Sequence, residues 1–246
     1  MPLRAGCGWL VAVPWPNLCA PMPPEPATTA VVQVQLTAKA SGFARRGQPW
    51  FYGDDVVTGS TAPPRLVRML DEGGRDLGLA FTSTGRLALR SCGPWPGDGV
   101  PDRETFCHAR LAAAIERRAP WLGPEDGARL VHGESDGLPG LVLDRYGPVL
   151  VLQVTSAVVE QSLDAIVPFV AERLRAELVV ARNDVAARKH EGLPEEVTLL
   201  HGRRIEQTSI VEHGVRHTMR QFAGHKTGFY LDQRPARELV QQLAKG

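Results

Sequence analysis

The sequence predicts an α+β fold in which a small β-barrel precedes a helix and then an antiparallel sheet with a helix packed on it. Three patterns indicate this order. Short strand-like segments joined by tight turns occupy residues 31–92, a linker and helical pattern cover residues 93–120, and hairpin and helix patterns alternate through residues 121–220. Strands followed by helices and further strands, without a regular βαβ repeat, are typical of the α+β class.

The barrel prediction rests on strand alternation and on hairpin turns. In VVQVQLTAKA, Val32, Val34 and Leu36 fall on one face of a strand. The stretch LVRMLDEGGRDLGLAFTSTGRLALRS has the pattern of a meander, with tight turns at Gly73-Gly74 and Thr84-Gly85. Several short strands within about 60 residues predict a small closed sheet.

The helix after the barrel and the elements that follow it have equally clear signals. In RETFCHARLAAAIERRAPWLG, Phe106, Leu111 and Ile115 lie along one side of a helix that ends before Pro120. Next come a hairpin turning at Gly147-Pro148, an amphipathic helix in VVEQSLDAIVPFVAERLRAE, a strand in LVVARND and a hairpin turning at His213-Gly214.

Composition excludes several functional classes. The net charge is +1, so no global basic signal for nucleic acid exists and any such signal must be local. No apolar run reaches the roughly 18 residues that span a bilayer. The proline-rich composition of residues 1–30 predicts a disordered leader. The four cysteines form no C-x-x-C pair, which disfavours structural zinc and fits free thiols in a reducing cytoplasm.

Two stretches combine residue types that bind anions and flat rings. In KASGFARRGQPWFYGDD, the cations Lys39, Arg45 and Arg46 precede Trp50, which suits phosphates and a stacked base. A solvated turn beside core aromatics explains the same residues. In GHKTGFYLDQR, a polar loop enters a helix and offers the groups of a cofactor pocket: Lys226, Thr227, Phe229, Tyr230, Asp232 and Gln233. A turn in which Asp232 caps the helix is the alternative there.

Other polar clusters favour structural interpretations. Glu134 and Asp136, with His132 nearby, are close enough for acid–base chemistry, but their Gly-rich loop favours hydrogen bonds to its own backbone. The stretch RNDVAARKHEGLP predicts a short charged helix. Cys107 beside His108 is only a sequence neighbour and does not indicate a catalytic thiol.

Four stretches together resemble a known family: RRGQPWFYGDDV, RLVHGESDGLPGLVLDRYG, RNDVAARKHEGLP and GHKTGFYLDQR. The chain resembles, over residues 31–246, the bacterial class I S-adenosylmethionine (SAM)-dependent 23S rRNA (cytosine-C5) methyltransferase I family. The resemblance implies an RNA-binding PUA domain at residues 31–92, a central α+β domain at 121–220 and, at 221–246, the start of a Rossmann-like methyltransferase domain. It also implies that the cofactor-loop residues above line a SAM pocket and that Arg45, Arg46 and Trp50 lie on or near the RNA-facing surface.

The chain departs from this family in one respect. The Gly-rich SAM motif and the nucleophilic cysteine that follow the last helix in the family do not occur here, so the resemblance implies a chain truncated before the catalytic core. We therefore expect binding to rRNA without methyl transfer by the chain alone, and no catalytic residue within it. A standalone RNA-binding adaptor and one half of a split enzyme remain alternatives, and a separate catalytic half or a homodimer are possible partners.

Overall fold

The computed structural model describes residues 32–96, 99–123, 126–223 and 227–244, apart from the Trp121 side chain. Its strands are β1 Gln33–Leu36, β2 Trp50–Tyr52, β3 Val56–Thr58, β4 Leu66–Leu70, β5 Asp76–Thr82, β6 Leu87–Gly93, β7 Gly127–His132, β8 Leu141–Tyr146, β9 Val149–Val154, β10 Leu178–Arg182, β11 Val197–Gly202, β12 Gln207–Glu212 and β13 Val215–Arg220. Its helices are α1 Ala38–Arg45, α2 Arg103–Arg118, α3 Ala157–Glu160, α4 Leu163–Leu174 and α5 Arg234–Leu243. The mixed content confirms the α+β class.

The first six strands form one sheet in the order β2-β6-β5-β4-β1-β3. The predicted hairpins at Gly73-Gly74 and Thr84-Gly85 are confirmed, since they join β4 to β5 and β5 to β6 as antiparallel pairs. Strand β1 pairs parallel with β4, which a simple meander does not predict. The strand order places β2 and β3 at opposite edges of the sheet.

Helix α1 lies in a segment where the sequence predicted no helix. The Thr37 hydroxyl accepts a hydrogen bond from the Ala40 backbone N–H at 3.2 Å and so caps the helix start. Ala40 and Ser41 are buried. Ser41 and Gly42 are poor helix formers, so the helix depends on this cap and on packing more than on local propensity.

The second sheet has the order β11-β10-β9-β8-β7 and is mixed, so the prediction of an antiparallel sheet is wrong for one pair. Strand β10 runs parallel to β9 because α3 and α4 carry the chain back across the sheet between them. The single predicted helix is two helices here. The Ser162 hydroxyl donates to the Val158 carbonyl at 2.6 Å where they meet.

Helix α2 connects the two sheets through a shared core. Its position confirms the predicted helix, and the Asp102 carboxylate caps it by accepting from the Thr105 N–H at 2.8 Å. Phe106 on α2 meets Phe81 of the first sheet edge-to-face at 5.7 Å. The same cluster continues into the second sheet through Leu130. The two sheets therefore hold a fixed relation to one another, and a groove between them has fixed walls.

The β12–β13 hairpin and the loop before α5 pack on the face of the second sheet that α2 and α4 do not cover. Strands β12 and β13 form the predicted hairpin, with His213 at a φ of 49° in its turn. Ile210 of this hairpin packs with Tyr146. Pro235 lies in the first turn of α5, as predicted, but Asp232 is not its cap. Asp232 belongs to a preceding 3-10 turn, and Gln233 occupies the cap position without a side-chain bond.

Two further findings apply to the ranges given above. None of their helices is long and apolar enough to cross a membrane. Within the same ranges no group of three or more His, Cys, Asp and Glu residues is arranged to hold a metal ion.

Candidate functional site

The seam between the two sheets is organised around one ion pair. Glu134, in the 3-10 turn after β7, accepts hydrogen bonds from the Trp50 indole at 2.9 Å and from the Arg90 guanidinium at 2.8 Å. Arg90 also donates to the Thr155 carbonyl at 3.2 Å. Trp50 and Arg90 belong to β2 and β6, so this network joins an edge of the first sheet to two turns of the second.

The network keeps the Glu134 carboxyl ionised. Burial acts to raise the pKa of this carboxyl, but the hydrogen bonds from Trp50 and Arg90 outweigh burial and hold the pKa below its ordinary value of 4.5. An anion fixed at this point orients the Trp50 ring and neutralises Arg90. The seam therefore presents a positioned aromatic surface and little free charge from these three residues.

We expect the E134Q variant to be less stable than the native chain by about 1 kcal/mol at pH 7, because a neutral amide accepts weaker hydrogen bonds. The lowered pKa fixes the pH dependence. The stabilisation from ionised Glu134 is complete above the unfolded-state pKa and is lost as the pH falls through the folded-state pKa. The stability difference between the native chain and E134Q should therefore shrink below about pH 4.5. Urea titrations from pH 3 to 8 measure it.

A matched control for that series is E116Q. Glu116 pairs with Arg173 at 2.8 Å, but its side chain is 67% exposed. We expect a change below about 0.5 kcal/mol for this exposed pair. Equal effects of E134Q and E116Q at pH 7 would contradict the role given to the seam network.

Three hollows flank the network, and together they form what we term the seam groove. The first, of about 470 Å³, is lined by residues that include Arg45, Gly47 and Glu134. A smaller hollow of about 170 Å³ lies between Arg90 and the turn after β7. The third, of about 430 Å³, is lined by residues that include Trp50, Tyr52 and Arg86. The larger two have the size of small-ligand sites.

The structure brings two of the four predicted RNA-binding residues to the seam groove. Arg45 lines the first hollow while it pairs with Asp71, and Trp50 lines the third. Lys39 and Arg46 are exposed on or beside α1 and line none of the three hollows. The Arg46 guanidinium lies 4.9 Å from the ring centre of Phe43.

The predicted cofactor loop is anchored through a buried polar network. Thr227 is 2% exposed, and its hydroxyl donates to an Asp144 carboxylate oxygen at 2.5 Å and lies 3.0 Å from the Tyr146 hydroxyl. Arg129 binds both Asp144 oxygens, at 2.8 and 3.0 Å. Hydrogen bonding to Asp144 raises the pKa of Arg129, and burial raises the pKa of Tyr146. The Thr227 hydroxyl is therefore engaged within the fold.

The other predicted cofactor residues divide into two groups. Phe229 is partly buried and packs against the core cluster that includes Ile210, with its ring centre 4.4 Å from the Arg237 guanidinium. Tyr230, Asp232 and Gln233 are exposed. Lys226 lies outside the described residues.

Sequence reasoning missed two acids, Asp144 and Glu212, that hold the predicted cofactor loop and α5 in place. Asp144 was visible as a charged residue between apolar neighbours in GLVLDRYG, on a strand that the apolar pattern marks as buried. Glu212 is also buried, and it pairs with Arg237 at 2.9 Å. A buried carboxylate in a strand requires a cation, but sequence alone does not identify which cation. Arg188 shows the converse case: the predicted charged helix is a 3-10 turn in which this side chain is fully buried.

The described cysteines are unsuited to nucleophilic chemistry. Cys92 and Cys107 are both buried free thiols. Burial raises the pKa of Cys107 to about 11 and that of Cys92 well above its ordinary value. Because the thiolate is the nucleophile, neither residue is reactive at neutral pH.

Comparison with curated proteins gives consistent matches. The chain is 35% identical over 223 residues to ribosomal RNA large subunit methyltransferase I of Shewanella amazonensis, a match that covers 87% of this chain and 55% of the relative. Its homologues are ribosomal RNA large subunit methyltransferase I proteins. The Vibrio parahaemolyticus relative is 43% identical over 224 residues, covering 89% of this chain and 55% of its own length. The chain thus spans about half the length of the curated relatives it matches.

Solved structures share the fold. A Streptococcus mutans protein named for SAM-dependent methyl transfer matches with a TM-score of 0.67 at 19% identity, covering 85% of this chain and 54% of its own. A second protein, named as a methyltransferase and solved in complex with SAH, matches with a TM-score of 0.69 at 19% identity, covering 85% of this chain and 53% of its own. At this identity the likeness shows the fold alone. No protein-family model matches the chain.

Proposed function

We propose that this chain is the RNA-binding portion of a SAM-dependent rRNA methyltransferase, and that the seam groove contacts the RNA. The observation that carries the proposal is the groove itself. The positioned Trp50 ring, the exposed Tyr52 ring and several arginines line it between two rigidly joined sheets, in a chain whose homologues are rRNA methyltransferases. Grooves of this composition bind single-stranded nucleic acid through stacking and phosphate contacts.

We assign the six-stranded sheet with α1 as the PUA domain and cytosine C5 as the methylated position. Both assignments rest on the sequence resemblance. C5 methylation of cytosine uses an attacking thiolate, and the raised thiol pKa values of Cys92 and Cys107 disfavour these residues for that role. In our proposal the thiolate therefore comes from a catalytic domain that acts with the residues described here.

The outward face of α5 supports such a partner domain. Ala236, Leu239, Val240 and Leu243 follow the i, i+3, i+4, i+7 spacing of one helix face, and all four are exposed. The opposite, polar face contacts the protein: Arg237 binds Glu212, and Gln241 binds the His213 carbonyl at 3.0 Å. We propose that the catalytic domain packs on the apolar face and completes a SAM site with Tyr230, Asp232 and Gln233.

The exposed face also separates this proposal from its main alternative. A standalone RNA-binding adaptor would bury Leu239, Val240 and Leu243 against its own domain, whereas they are 55%, 62% and 74% exposed here. A split enzyme, with the catalytic half on another chain, uses the same face and is distinguished by copurification of that half.

The test measures RNA binding and methyl transfer separately. We expect the purified chain to bind rRNA fragments weakly, with affinity falling steeply as salt rises, and to transfer no methyl group from radiolabelled SAM. The binding is weak because Arg45 and Arg90 are already paired within the protein. Robust methylation by the chain alone would contradict the assignment of catalysis to a partner domain. Equal, salt-insensitive retention of rRNA and neutral polymers would contradict RNA binding.

A further inference from the structure

The third hollow of the seam groove has an aromatic wall on a sheet edge. Trp50 and Tyr52 occupy alternate positions of edge strand β2, so both side chains leave the same face, and they are 44% and 45% exposed. Phe51 between them is buried in the core. Two exposed rings two residues apart on a strand form a platform of the kind that stacks unpaired bases in sheet-based RNA-binding domains.

The opposite wall comes from the second sheet and is held against the first. It is the 3-10 turn Ala186–Glu191. The Ser83 hydroxyl donates to the Glu191 carboxylate at 2.5 Å. A Cβ atom on Gly85 would lie 2.2 Å from the His190 carbonyl oxygen, so only glycine permits this approach. The turn between β5 and β6 is therefore fixed to the 3-10 turn, and the hollow exists before any ligand binds.

The polar groups at the rim of the hollow suit a nucleotide. The Arg86 guanidinium lies 5.9 Å from the Tyr52 ring centre and has no hydrogen-bond or ion-pair partner among the residues that the structure describes. His190 on the opposite wall is exposed. The Asp55 carboxylate is engaged within its own turn, because it accepts a hydrogen bond from the Tyr52 backbone N–H at 2.9 Å. Unlike Arg45 and Arg90, Arg86 can bind a phosphate without breaking an existing ion pair.

We propose that this hollow is a subsite for one unpaired base of single-stranded RNA, which stacks on Tyr52 beside the edge of Trp50 while Arg86 binds an adjacent phosphate. This inference rests on the proposed function and makes it more specific. A volume of about 430 Å³ admits a nucleotide but not a duplex. The subsite requires an extruded or loop base, because bases within a helix present only their edges.

The experiment measures the affinity of the purified chain for a fluorescein-labelled unpaired RNA 12-mer. We expect Y52L to weaken binding about 5- to 150-fold, which corresponds to the ~1–3 kcal/mol of one base–aromatic stack. R86A should weaken binding and reduce the slope of log affinity against log salt by about one, as loss of one phosphate contact requires. The same RNA annealed to its complement should be insensitive to Y52L.

The matched control is F43L. Phe43 is 39% exposed and lies beside Arg46, as Tyr52 lies beside Arg86, but it lines none of the three hollows. F43L should bind the 12-mer like the native chain. Binding by the native chain together with equal affinities for Y52L and F43L would overturn the base subsite and leave the proposed function intact. Failure of the native chain to bind any RNA would overturn both.

Discussion

The D144A variant should lose about 3 kcal/mol of stability, because Asp144 on β8 anchors the loop that precedes α5 through Thr227. Asp144 is fully buried and binds Arg129 through both oxygens while accepting from Thr227. Removing it leaves a partly buried guanidinium without its acceptor, and it leaves the buried Thr227 hydroxyl with the Tyr146 hydroxyl as its partner. The usual cost of breaking a buried pair is about 3–5 kcal/mol, and the lower end applies because Arg129 is 36% exposed.

The readout separates global from local effects. For a folded unit of this size, about 3 kcal/mol corresponds to a fall in Tm of roughly 6–12 °C. T227V should cost about 1 kcal/mol, because it removes one hydroxyl and leaves the Arg129–Asp144 pair. In both variants, amide exchange at residues 227–233 should accelerate more than exchange in β8, since the hydroxyl bond ties the loop to that strand.

The control for D144A is E177A. Glu177 pairs with Arg203 at 2.7 Å, but both side chains are well exposed. We expect a change below about 0.5 kcal/mol. If D144A and E177A had the same Tm, the buried network would not hold the loop.

The sequence predicts elements whose signals are local and misses those that depend on distant partners. Helix α2 follows from the spacing of Phe106, Leu111 and Ile115, and the hairpin turns follow from their glycines. Helix α1 contains Gly42 and no strong apolar stripe, so its stability comes from the sheet beneath it. The parallel β9–β10 pair likewise depends on how α3 and α4 return the chain, which no residue pattern specifies.

The same distinction applies to the candidate sites. The resemblance selected the stretches that contain Trp50, Glu134 and Thr227, but their contacts span 84 residues for Trp50–Glu134 and 83 for Thr227–Asp144. Tyr52 and Arg86 form the wall of a hollow only because β2 pairs with β6. Pairings at such separations are set by topology, so sequence patterns name the residue types and the fold decides which of them meet.

The orientation of α5 predicts an inverted response to mutation. In most surface helices, replacing residues of the apolar face destabilises the fold, and replacing residues of the polar face is tolerated. Here Glu212 is buried and contacts two α5 residues, Arg237 at 2.9 Å and Arg234 at 3.8 Å. We expect E212A to undock α5, and a ten-residue helix is not stable alone in water. Helical circular dichroism should fall, and amide protection across α5 should be lost.

The L239E/L243E double variant should have the opposite outcome. Both side chains are more than half exposed, so stability should change by less than about 0.5 kcal/mol. Association is measured with the part of the Vibrio parahaemolyticus relative that this chain does not match, supplied as a separate chain. The native chain should bind it and the double variant should bind at least 100-fold more weakly, because two charges would be buried without partners. Q241A, on the polar face of α5, is the matched control and should bind normally. A stability loss in L239E/L243E would show that this face packs within the chain, as the adaptor alternative requires.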